Sequence, residues 1–152
     1  ACFKDFKEYY SAHYAVKTYA YKGVKEALLS LKNSGFTLGV LSNKYDAAVK
    51  GLVEIYYGDI FDFVSGEKEG TPRKPDPTSL NDMIRLCGAE KKHTVYIGDS
   101  DVDVKTADNA GVKCVSVTWG FRSKNFIKDN GGYDFADTPE EMAAKIKADS
   151  GL

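Results

Sequence analysis

The stretch HTVYIGDSDVDVKTADNAGV, His93 to Val112, sets a short apolar run directly against three acids, Asp99, Asp101 and Asp103. The run TVYIG reads as a buried strand and DVKTADNAG as a helix, the pairing from which parallel α/β sheets are built. Like charges this close repel one another, so something must hold them. Helix capping by Asp99 or Ser100, with Asp101 and Asp103 favouring the positive helix end, is worth roughly 0.3–1 kcal/mol per effect. Capping accounts for one or two acids comfortably and for three poorly. The other reading is a hard divalent cation, which takes carboxylate oxygens and offsets their repulsion. Asp99 ends the strand and Asp103 lies one helical turn on, on the same side, whereas Asp101 points elsewhere, into solvent. Spacing alone leaves both readings open.

Outward from this stretch the chain alternates strands and helices. CFKDFKEYYSAHYAV predicts a helix over Phe3–Val16, and KGVKEALLSLKNSG a clearer one, with Val24, Ala27, Leu28 and Leu31 as its apolar stripe and Gly35 as its stop. FTLGVLSN reads as strand, YDAAVKGLVEIYYG as helix and IFDFVSG as strand. EKEGTPRKPDP holds three of the four prolines and must be loop, because proline cannot donate to a ladder or sit inside a helix. TSLNDMIRLCG is helix and VKCVSVTWG strand. YDFADTPEEMAAKIKA gives a short strand and a helix capped by Thr138, with Pro139 at its first position. The pattern predicts an α/β fold: a three-layer, Rossmann-like parallel sheet with helices on both faces and TLGVL and TVYIG as inner strands. Ligands of such sheets bind beyond the carboxyl ends of the strands. Two turns stand there, SNK after TLGVL and DSDVD after VYIG.

The chain's 152 residues are 43% apolar and 28% charged, enough for one domain with a real core. A net charge of −1 with both signs interspersed offers no field for a polyanion, so nucleic acid is not an expected partner. No apolar run approaches the ~20 residues of a membrane span, and no secretory signal opens the chain. Cys2, Cys87 and Cys114 are odd in number and widely spaced, which reads as reduced thiols in a cytoplasmic protein.

Ser42 closes an apolar strand before a helix, where a hydroxyl and free N–H groups can form an anion site; a simple turn or cap is the plainer alternative. Lys74 sits in RKPDP, stiffened by flanking prolines, and by itself reads as a solvated loop lysine. His13 and His93 have no ligating company, and Trp119 reads as packing.

The ordered set LSNK (Ser42), RKPDP (Lys74) and GDSDVD (Asp99, Asp103) resembles the second, third and fourth motifs of the haloacid dehalogenase superfamily. GDS followed by AG, and the ending GYDFADTPEEM, are similar to its phosphoglycolate phosphatase-like branch. The resemblance covers nearly the whole chain and implies a phosphoaspartyl phosphatase that hydrolyses a small phosphorylated metabolite such as phosphoglycolate. It implies that Ser42 holds the transferring phosphoryl group with Asn43 beside it, and that Lys74 neutralises charge on that group and on the nucleophile. It further implies Mg²⁺ as cofactor, ligated by Asp99, with Asp103 holding the metal directly or through an intermediary. A phosphate- or metal-binding module without turnover, completed by another chain, is the alternative.

The family's first motif, a strand ending in Asp-x-Asp-Gly-Thr, supplies the nucleophile and the general acid/base and precedes Ser42. Here only Asp5 precedes Ser42, in FKDFK, and the Asp-x-Asp pairs of DSDVD lack the Gly-Thr. The chain opens with Ala1. The expectation is therefore that residues 1–20 are the tail of a helical cap and 21–152 the C-terminal part of the core, with first strand, nucleophile and most of the cap upstream. In the family the first-motif strand runs between those ending at Ser42 and Asp99. The two strands are thus expected to close up, or a second chain or segment to fill the gap.

Overall fold

Ala27, Leu28 and Leu31 recur at the three- and four-residue spacing that keeps side chains on one helix face, and they are the buried stripe of α1 (Val24–Asn33). The computed structural model describes residues 19–151; the helix expected over Phe3–Val16 lies outside them. After α1 come β1 (Gly39–Tyr45), α2 (Asp46–Tyr57), β2 (Phe63–Glu67), α3 (Thr78–Leu86), β3 (Val95–Gly98), α4 (Asp101–Ala110) and β4 (Lys113–Val117). The chain closes with α5 (Lys124–Asp129), β5 (Phe135–Ala136) and α6 (Pro139–Asp149). Thr138 caps α6 by accepting the Glu141 N–H at 3.1 Å, and Pro139 follows as the first helical residue. The short α5, capped by Ser123, is an element that the sequence pattern does not announce.

Every strand pairing is parallel, and the helices cover the sheets. The α/β class, parallel strands flanked by helices, is as expected, but the strands form two hydrogen-bonded sheets rather than one. β1 pairs with β2, Gly39 opposite Phe63 and Leu41 opposite Ser65, while β3, β4 and β5 pair in that order. β1 and β3, both expected as inner strands that close up unless another chain or segment fills the gap between them, share no ladder and do not close up. Between them runs a cavity of about 650 Å³, flanked by Val40 and Leu41 on one side and by Tyr96 and Ile97 on the other.

Helices that bridge the two sheets keep them apart. One buried cluster joins Leu28 and Leu31 of α1 and Met142 and Ile146 of α6 to Leu38 and Ile60 beside the first sheet and to Val115 and Val117 of the second. A second cluster packs Leu80 and Ile84 of α3 with Tyr96, Val104, Ala107 and Cys114. Met83 of α3 also lies so close to Gly39 that a Cβ there would overlap its sulfur. Burial of these apolar faces is the dominant favourable contribution to the fold, and it fixes the spacing without a β1–β3 ladder.

Candidate active site

The β1–β2 register slips between Leu41 and Tyr45, so the segment holding Ser42, Asn43 and Lys44 leaves the regular ladder. Its side chains then make other contacts. Ser42 Oγ accepts the Lys44 N–H at 3.1 Å. Asn43 clamps the backbone of Lys74: its Oδ1 accepts the Lys74 N–H at 2.9 Å and its Nδ2 donates to the Lys74 carbonyl at 3.1 Å. Arg73 donates to the Asn43 carbonyl at 3.3 Å. On the far side, Asn109 of α4 donates to the Pro75 carbonyl at 3.0 Å. The proline loop is thus tied to the end of β1 and to α4, and Lys74 has a defined place.

From there the Lys74 ammonium donates to Asp103 Oδ1 at 2.7 Å and to the Tyr96 hydroxyl at 3.1 Å. Tyr96 Oη also stands 3.3 Å from Asp103 Oδ1, to which it donates. The other carboxylate oxygen, Oδ2, accepts Ser100 Oγ–H at 2.6 Å and the Asp99 N–H at 3.1 Å. Ser100 is the N-cap of α4, its Oγ accepting the Asp103 N–H at 3.4 Å. Gly98 makes this approach possible, because a Cβ there would overlap the Asp103 side chain. Burial pushes the Asp103 carboxyl up, but the charge and hydrogen bond of Lys74, with Ser100 and the Asp99 amide, outweigh it and hold it below its ordinary value. Burial first, and then Asp103 as a charge and hydrogen-bond partner, raise the Tyr96 phenol far above its ordinary range.

Asp99 follows β3 and is held by the turn after β4. Phe121 N–H donates to Asp99 Oδ2 at 2.8 Å, and Arg122 N–H to its carbonyl at 3.1 Å. Asp101 turns away, to Lys105 at 3.6 Å and Arg122 at 4.0 Å. Lys74, Asp99 and Asp103 all line the 650 Å³ cavity. Ser42 and Asn43 do not; they line a small neighbouring pocket in which Lys74 and Arg73 also take part. Lys74, with Leu41, is common to both. Trp119 packs at the edge of the first core cluster, and His93 ends an exposed 3₁₀ turn.

The donor set can be weighed against a divalent cation. Among the described residues no three His, Cys, Asp or Glu side chains gather as a metal cage. The two oxygens of Asp103 offer about four acceptor sites, and Lys74, Tyr96, Ser100 and the Asp99 amide engage them all. Asp99 Oδ2 is taken by Phe121, and among the described residues no donor reaches Oδ1. Mg²⁺ is usually bound by one or two carboxylates, with waters and substrate phosphates completing its octahedron. The residues present fit that pattern: Asp99 keeps a carboxylate oxygen that could ligate such a cation, while both oxygens of Asp103 are engaged by Lys74, Tyr96, Ser100 and the Asp99 amide.

Among the contacts not read from the sequence are the Tyr96 hydroxyl, the Ser100 hydroxyl on Asp103 and the Phe121 amide on Asp99. Tyr96 had a signal, since a tyrosine inside a buried apolar run needs a partner for its hydroxyl. The amide had none, because a backbone donor carries no side-chain identity.

Residues 2–117 match the sequence family described as haloacid dehalogenase-like hydrolase. A phosphoglycolate phosphatase of Mesorhizobium japonicum is 32% identical over 80% of this chain and 54% of its own length. One from Aquifex aeolicus is 30% identical over 79% of this chain and 57% of its own. The chain therefore spans about half the length of the curated relatives it matches. Among solved structures, a candidate phosphoglycolate phosphatase from Lactobacillus delbrueckii subsp. bulgaricus superposes with a TM-score of 0.89 and 38% identity, covering 95% of this chain and 60% of that one.

Proposed function

From the premise that this chain belongs to the haloacid dehalogenase-like hydrolase family, we propose that it is the C-terminal core of a Mg²⁺-dependent phosphomonoester hydrolase acting on a small phosphorylated metabolite such as phosphoglycolate. The observation that carries the reading is the placement of Lys74. An asparagine at the end of β1 clamps its backbone, and an aspartate of α4 takes its ammonium beside Asp99. Three stretches far apart in sequence thereby meet at Lys74, which lines the cavity.

Phosphoryl transfer needs mainly positioning and stabilisation of charge on the equatorial oxygens. In this reading Lys74 is the catalytic cation. Two of its three N–H donors go to Asp103 and Tyr96, and the third is available to a phosphoryl oxygen. Ser42 supplies a hydroxyl to the same group, and Asn43 fixes Lys74 from behind. Asp99 would hold Mg²⁺, which when bound adds positive charge at the phosphoryl oxygens. Asp103 keeps Lys74 and Ser100 in register.

The nucleophile and general acid/base of the family lie in an Asp-x-Asp-Gly-Thr motif that these 152 residues do not contain. The cavity between β1 and β3 favours completion by a further strand, from another segment or a second chain, with Asp-x-Asp-Gly-Thr at the Lys74 end. Without such a strand the chain is a phosphate- and metal-binding module.

The test compares the chain with a version extended by a first-motif strand, on phosphoglycolate and on an aryl phosphate with Mg²⁺ in excess. Turnover is expected only in the extended protein, and Lys74→Met should abolish it. Equal rates in both forms would show that the nucleophile lies within these 152 residues and overturn the assignment. No turnover in the extended, folded protein would favour the binding module.

A further inference from the structure

The turn after β4 presses against Asp99 at a position where only a hydrogen fits. A Cβ built on Gly120 would overlap the Cβ, the carboxyl carbon and Oδ2 of Asp99. The next two residues of that turn supply both backbone contacts to Asp99, Phe121 N–H to Oδ2 at 2.8 Å and Arg122 N–H to the carbonyl at 3.1 Å. Cation–π contacts hold the turn in place: the Arg122 guanidinium lies 4.6 Å from the Phe121 ring centroid and 4.7 Å from that of Phe126 in α5. Ser123 then caps α5 through the Phe126 N–H at 3.3 Å.

We propose that Gly120 is a positioning residue for Asp99: by admitting the carboxylate against the turn, it seats Oδ2 on the Phe121 amide and leaves Oδ1, which no described donor reaches, as the cation-binding oxygen. The inference rests on the reading of Asp99 as a metal ligand, and adds to it the device that sets the ligand's orientation. A carboxylate at a strand end turns about two side-chain bonds, and a cation in the cavity requires one of those orientations. A charge-assisted hydrogen bond from a rigid backbone donor selects it, being roughly twice as strong as a neutral one. Partners that orient a metal ligand typically change metal affinity by about 10–100-fold when lost. A side chain at position 120 cannot coexist with the observed Asp99 position, so either the carboxylate swings out or the turn retreats. Both outcomes break the Phe121 contact.

The experiment uses the 152-residue chain with Mn²⁺ as the probe cation, read by water-proton relaxation, and the Phe121 backbone amide, read by ¹H–¹⁵N spectra. In Gly120→Ala the amide should move upfield and Mn²⁺ affinity should fall by about 10–100-fold, while far-ultraviolet circular dichroism stays unchanged. Asp99→Asn should shift the same amide and weaken Mn²⁺ to a similar degree, and the double variant should lose little more than either single one. An unmoved amide with unchanged affinity in folded Gly120→Ala overturns the proposal. If that variant does not fold, Asp99→Ala decides, because an unmoved Phe121 amide after loss of the acceptor removes the contact on which the proposal stands. If the unaltered chain binds no Mn²⁺, the ligand reading of Asp99 falls and the proposed use of the support with it. The amide shift would then still show whether Gly120 seats the carboxylate.

Discussion

Lys74 and Asp103, 29 residues apart, meet at 2.7 Å with side chains only 14% and 7% exposed. A buried ion pair is weak evidence of stability as a pair, because desolvating both ions offsets their attraction. Removing one partner is different, since it strands the other charge. Asp103→Asn should therefore destabilise the chain by about 3 kcal/mol, the lower end of the range for such losses because Lys74 keeps the Tyr96 hydroxyl. Urea denaturation at neutral pH measures it, and a change below ~0.5 kcal/mol, the scale of ordinary surface substitutions, would mean that Lys74 is solvated rather than held.

The acid limit of stability should be set partly by Asp134. Burial pushes this carboxyl up, but hydrogen bonds and charge from Lys113 and Lys145 prevail and lower it. A lowered folded-state value means stability that is fully present above the unfolded carboxylate value, near 3.9, and lost as pH falls through the folded one. Lys113 runs the other way. Asp134 and Asp149 raise it, so its contribution is complete below about pH 10.4, the unfolded lysine value, and lost only above it. Urea midpoints should thus hold from pH 5 to 9 as far as this cluster is concerned and drop below about pH 4. In Asp134→Asn the drop below pH 4 should be shallower; an identical acid profile would exclude the cluster.

Secondary structure was legible wherever periodicity or punctuation was strong. The α1 stripe, the Thr138–Pro139 start of α6 and the proline loop around Lys74 all follow from local rules. The strand count was legible but the sheet count was not. Whether β1 meets β3 depends on what lies between them in space, and α1, α3 and α6 hold that distance. α5 spans six residues, too few for a helical period to show. In the site, Ser42, Lys74, Asp99 and Asp103 stood out as an ordered set of motifs, whereas spacing alone left each of them with a plainer explanation. The distribution of roles was less visible. Asp103 is spent on Lys74, Tyr96, Ser100 and a backbone amide, so of two aspartates that looked equivalent, Asp99 alone keeps an oxygen that no described donor reaches.

The two described cysteines should differ sharply in reactivity. Cys114 is buried in β4 at 2% exposure, and burial pushes its thiol up to about 12. Cys87, after α3, is only partly buried; burial and then the charge of Asp62 raise its thiol. The thiolate is the nucleophile, so iodoacetamide at pH 8 should label Cys87 slowly and leave Cys114 unmodified until urea opens the core. Peptide mass spectrometry separates the two, and early labelling of Cys114 would show that β4 opens readily.

Magnesium should bind this chain weakly on its own. Mg²⁺ seeks six oxygens in near-octahedral geometry and gives up its waters reluctantly, so all-protein cages are uncommon for it. Here Asp99 offers one oxygen that no described donor reaches, Asp103 is fully engaged, and the Lys74 ammonium beside Asp103 adds a repulsive charge. Phosphate would supply further oxygens and pair with Lys74 at once, so cation and anion should each tighten the other, as reciprocal coupling requires. Calorimetry should find affinity for Mg²⁺ alone weaker than micromolar, improving when inorganic phosphate is present, and the improvement should vanish in Lys74→Met. Micromolar or tighter binding without phosphate would mean that ligands beyond Asp99 complete the site, and coupling that survives Lys74→Met would place the anion away from Lys74.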